Sequence, residues 1–202
     1  MLSLLKSNAH KQDLYTSMPS HSKQQHLKIQ IKSRTRWDEC DFWIVFYRRG
    51  TLSNMEVVNA KTFTEIFQNV IHHGIDDNRP LMYVDTSVRK GKSLHLLFYP
   101  ESLFTTEDNR EMWLENLVSM LIGTYPKALG LYFSEEIFAK HDMKRNFARF
   151  IDRLMAENVY LNHLTLLAIF QPFNHLLQSA EYAKEHLNNQ YSIFIDTSKS
   201  MG

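Results

Sequence analysis

The chain has 202 residues, 44% of them apolar, and a net charge of +1, which is enough material for one domain with an ordinary core. Its one cysteine, Cys40, excludes an intramolecular disulfide and a cysteine-based zinc site. Its six glycines are under half the usual share of about 7%, which argues against the glycine-rich loops of the familiar nucleotide enzymes.

Residues 1–26 are rich in Ser, Gln, His and Lys without an apolar period, and read as a flexible basic arm ahead of a single domain over 27–202. Residues 1–36 carry seven Lys or Arg against Asp13 alone, so the rest of the chain is net acidic at −5. No apolar run approaches the roughly 18–20 residues of a membrane span, and the apolar start is too short for a signal peptide. A soluble, cytoplasmic protein is expected.

Leu27, Ile29 and Ile31 alternate with polar residues as in a half-buried strand, and Phe42 to Tyr47 is a continuous apolar run, a strand covered on both faces. Arg48 to Thr51 is expected to turn the chain into a hairpin strand over Leu52 to Val58. Lys61 to His73 has helical apolar spacing and ends at Gly74. Leu81 to Val84 and Leu94 to Tyr99 read as strands, and Glu107 to about Ile122 as a helix.

The last third alternates. Leu129 to Phe133 is a strand, Asp142 caps a helix to about Asn158, His163 to Phe170 is a strand, Asn174 to Asn188 a helix, and Tyr191 to Ile195 a final buried strand. This order implies an α/β fold with one mixed sheet, antiparallel hairpins in its first half, β-α-β-α-β in its second, and helices packed on it.

Three segments resemble chemical motifs. Arg89-Lys90-Gly91-Lys92-Ser93 ends like a phosphate-binding loop, but Thr86 stands where its first glycine is needed and a strand follows, so it reads as a basic hairpin loop. Asp196, Ser198 and Ser200 resemble the metal-ion-dependent adhesion motif of von Willebrand A-type domains, in which they imply oxygen ligands for Mg²⁺. That motif follows the first strand of its domain, whereas here it follows the last, and it is set aside as coincidence. Asp85 and Asp196, each followed by Thr-Ser after an apolar strand, would form an acid–base or metal pair if their strands were neighbours.

The function expected on these grounds is a non-catalytic protein-interaction module, such as an adaptor, a secretion chaperone or an assembly subunit. Its partner would be another protein, with no cofactor. Trp37, Trp43 and Trp113 are the expected binding residues, because tryptophan is enriched at interface hot spots. Arg145, Arg149 and Arg153, a basic stripe at helical spacing, are a further binding surface. The alternatives are a small enzyme using Asp85 and Asp196, and anion binding through the arm and the arginine stripe. Nucleic acid is the less expected partner of an acidic body.

Overall fold

A computed structural model describes residues 24–33, 37–47, 79–89, 92–103, 107–133, 143–168 and 173–197. The expected hairpin strand over Leu52 to Val58, the helix over Lys61 to His73, most of the basic arm, Asp142, Ser198 and Ser200 lie outside them.

Seven strands form one sheet: β1 (Gln25–Lys32), β2 (Phe42–Tyr47), β3 (Leu81–Arg89), β4 (Lys92–Pro100), β5 (Ala128–Phe133), β6 (His163–Ala168) and β7 (Tyr191–Asp196). Their order across the sheet is β3-β4-β2-β5-β6-β1-β7. Three helices connect the later strands: α1 (Glu107–Leu121), α2 (Lys144–Glu157) and α3 (Phe173–Leu187).

The sheet is mixed, as its pattern suggests, and β3 and β4 form an antiparallel hairpin. The other early strands pair differently from the expectation. β1 lies parallel between β6 and β7, and β2 lies parallel between β4 and β5. Alternation of apolar residues tells which side chains face a core, but it carries no information on which strand lies alongside. The final strand, expected to be buried, is instead an edge strand, and its Phe194 is exposed.

The crossovers β4–α1–β5, β5–α2–β6 and β6–α3–β7 all step the same way across the sheet. A common right hand therefore puts all three helices on one face. Leu27, Ile44, Leu97, Leu131, Leu166 and Ile193 point to that face, and Phe147, Phe150, Ile151 and Leu154 of α2 meet them. The N-cap of α2 is Met143, which makes no side-chain cap hydrogen bond, so the cap expected at Asp142 falls one residue early. Asn158 closes its far end, donating from Nδ2 to the Pro126 carbonyl at 2.8 Å and accepting the Tyr160 N–H at 3.1 Å.

The step from β1 to β2 runs the other way, through residues 33–41, and the same handedness carries it over the opposite face. Cys40 lands there among Trp43, Val45, Leu96, Phe98 and Tyr132, a second buried cluster. Lys32 and Glu39 pair across this crossing at 3.0 Å.

Candidate functional site

Six strands run parallel, so their carboxyl ends share one rim of the sheet. At that rim the chain leaves β2 toward β3 and β4 on one side, and leaves β5 toward β6 on the other. β2 and β5 are hydrogen-bonded parallel neighbours whose next strands lie on opposite sides, the sheet order beside which open α/β sheets bind ligands. Residues 48–78 and 134–142, which leave these two strands, lie outside the described residues.

The packing just inside this rim is aromatic. Phe46 of β2 stacks on Phe133 of β5 with centroids 5.2 Å apart and meets the Tyr99 ring of β4 edge-on at 6.0 Å. All three are buried at the last turn of the strands, and strand pairing sets them side by side. Burial pushes the Tyr99 hydroxyl up to about 12, against a hydrogen bond with Asn116 of α1 that lowers it. Glu101 follows directly after β4 and is 1% exposed, a carboxylate kept inside at the same rim.

The sequence-level candidates are scattered over the molecule. Asp85 lies in β3 and Asp196 in β7, the two outer strands, six strand spacings or about 29 Å apart. They also sit at opposite ends of the sheet, since Asp85 pairs with Leu94 near the start of β4. Asp196 instead faces Lys28 at 3.6 Å. These two aspartates are not brought together, and among the described residues no three His, Cys, Asp or Glu side chains cluster as metal ligands do.

Trp43 is wholly buried between the sheet and its second cluster, so it presents nothing to a partner. Trp37 lies in a short 3-10 turn and Trp113 within α1. Arg149 and Arg153 both reach Glu115 of α1, tying two helices together, while Arg145 is exposed. Two of the three arginines are thus spent on a surface ion-pair network.

No protein-family model matches the chain, and no curated protein matches it in sequence. Solved structures similar to it include three macrodomains and a tomato leucine aminopeptidase, the last with a TM-score of 0.42 and 9% identity over 83% of this chain and 37% of that one. The macrodomain of Mycobacterium tuberculosis DarG matches with a TM-score of 0.44 and 9% identity, over 69% of this chain and 97% of that one. The macro domain of ganglioside induced differentiation associated protein 2 matches at 0.46 and 9%, over 82% and 84%. That of Thermus aquaticus DarG matches at 0.38 and 9%, over 71% and 98%. At these scores no residue role carries over to this chain.

The adaptor or chaperone expected from composition is corrected: it has no counterpart among these structures, which are macrodomains and an aminopeptidase. The physical reason is visible in the rings. The aromatics that suggested an interface, Trp43, Phe42, Phe98 and Tyr132 among them, fill the two faces of a sheet. Sequence reasoning missed Phe46, Tyr99, Phe133 and Glu101 as a group. Phe46, Tyr99 and Phe133 stand at or next to the ends of apolar runs and Glu101 just past one, and only strand order shows that the runs end side by side.

Cys40 carries a testable consequence. Burial pushes its thiol from 9.0 up to about 12, aided by Asp41 and Glu39 and opposed by a Thr165 hydrogen bond and Lys32. The folded chain keeps a proton there that the unfolded chain loses, so stability falls as pH rises from 9.0 towards about 12. Tyr99, raised from 10.0 to about 12, steepens the same loss. Urea melts at about pH 8 and about pH 10.5 should show a smaller alkaline loss in Cys40→Ala than in the parent. Equal losses would contradict the assignment.

Proposed function

We propose that this chain is a ligand-binding or enzymatic domain that takes a nucleotide-sized ligand, ADP-ribose or a close relative, at the carboxyl rim of its sheet. The observation that carries the reading is topological. β2 and β5 are parallel neighbours whose connections leave in opposite directions, and open α/β sheets bind ligands in such crevices. The buried rings of Phe46, Tyr99 and Phe133, one pair stacked and one edge-on, give that rim a rigid base. The choice of ligand follows the macrodomains, which bind ADP-ribose and often hydrolyse it.

The scarcity of glycine is compatible with this. Gly50 and Gly74, two of the six, fall within residues 48–78, the connection that leaves β2 at this rim. No described helix is long and apolar enough to cross a membrane. We keep the cytoplasm as the compartment, on the strength of one free, buried cysteine.

The test is calorimetric titration with ADP-ribose, ADP and AMP, paired with thermal melts. Saturable binding of ADP-ribose is expected, with a melting temperature that climbs as ligand exceeds its Kd. No heat and no shift with ADP-ribose at about millimolar concentration would overturn the reading, whatever AMP does.

A further inference from the structure

At the opposite rim of the sheet, on the helix-bearing side, lies a cleft of about 410 Å³ that the carboxyl-rim reading does not use. It is bounded by the starts of β2, β4 and β5 and by the turn that follows α1. Its volume lies in the range of small-molecule sites.

The rim of this cleft is held rigidly, and Asp41 is the centre of the holding. Its carboxylate accepts the N–H groups of Lys127 at 3.0 Å and Ala128 at 2.9 Å. Its own N–H donates to the Ala128 carbonyl, and its carbonyl accepts the N–H of His95. The Lys127 carbonyl accepts from the N–H groups of Asn162 and His163, and the Pro126 carbonyl from Asn158. The Leu121 carbonyl at the end of α1 accepts the Thr124 and Tyr125 N–H groups and the Thr124 hydroxyl. The negative end of that helix is therefore capped rather than aimed into the cleft.

With those groups engaged, the chemistry left to the cleft is that of its side chains. Lys92 and Lys127 are exposed at its mouth, with Ser93 and His95 beside them. The Asp41 carboxylate is turned to the backbone, and its charge with those of Lys92 and Lys127 leaves the lining one net positive charge. Three rings line it as well. His95 stacks on Phe42 within 3° of parallel, and Tyr125 is half exposed. Tyr125 holds φ at 45°, the left-handed region a tyrosine seldom adopts, and this sets its ring at the mouth. Lys92 and Ser93 come from the basic hairpin loop whose likeness to a phosphate-binding loop failed on glycine spacing. Here they line one cleft with Lys127.

We infer that this cleft is a second binding site, for a small molecule joining a planar ring to a phosphate monoester, of nucleoside monophosphate size. The lysines take the phosphate, and Tyr125 with the His95–Phe42 pair takes the ring. This site does not depend on the carboxyl-rim reading.

The experiment is NMR titration of the full chain with AMP and, separately, with inorganic phosphate. Saturable shifts are expected at Lys92, Ser93, His95, Tyr125 and Lys127, with AMP tighter than phosphate. Lys92→Ala with Lys127→Ala should weaken AMP at this site at least about tenfold, since charge-assisted contacts are lost. Tyr125→Gly keeps the backbone conformation without strain and should erase the preference for AMP over phosphate. Both changes are at exposed positions, and ADP-ribose binding at the carboxyl rim should be unchanged in each. Shifts confined to the carboxyl rim, affinity unaltered in the double variant, or no saturation at the cleft would each overturn the inference.

Discussion

Gly130→Ala is expected to destabilise the fold by about 3 kcal/mol. Gly130 sits in β5 directly opposite Trp43 of β2. A Cβ built there falls inside the Trp43 indole, against its Cε3, Cδ2 and Cζ3 atoms. The ring cannot swing clear, because it is wholly buried among Val45, Leu96, Phe98 and Tyr132. A glycine in a strand is explained here by close approach, not by backbone freedom. Urea unfolding should show a lower midpoint at unchanged m, and Trp43→Leu in the Gly130→Ala background should recover part of the loss. A shift under about 0.5 kcal/mol would mean that the indole packs elsewhere.

Phe46→Ala should cost about 3–5 kcal/mol, the range for emptying an aromatic site in a core. Phe46 is the ring that both Tyr99 and Phe133 contact, so its removal leaves both without their shared neighbour at the carboxyl rim. Phe46→Leu should cost far less than Phe46→Ala, because it keeps most of the volume. Ligand binding offers a second readout. If the carboxyl rim over β2 and β5 takes the ligand, Phe46→Leu is expected to stay folded and still to weaken ADP-ribose by loosening the rings beneath it. Unchanged affinity in Phe46→Leu would remove these rings from the account of binding.

Much of the fold was legible in the residues, because strands and helices announce themselves by period. The runs Phe42–Tyr47, Leu94–Tyr99 and Leu129–Phe133 are apolar on both faces, as central strands must be, and all three lie inside the sheet. Met143, Phe147, Phe150, Ile151 and Leu154 mark the buried side of α2 as their spacing foretells. Partner choice was not legible. β1 and β2 look like any neighbouring pair in the sequence, yet β6 and β5 stand between them.

The sites were hidden by the same gap. Asp85 and Asp196 share a local pattern and end at the two edges of the sheet. Asp41, Lys92 and Lys127 share no pattern, are dispersed along the chain, and line one cleft. Trp43 carries the residue type of a hot spot, and its burial against Gly130 is a fact of pairing that composition cannot express.

The most direct test of the central claim is where ADP-ribose perturbs the backbone resonances of the full chain. The account predicts the largest shifts at the carboxyl ends of the central strands, at Phe46, Tyr47, Tyr99, Glu101, Phe133 and Ala168, with little change at strand starts such as Leu94 and His163. Shifts confined to the strand starts, or spread evenly over both rims, would contradict it.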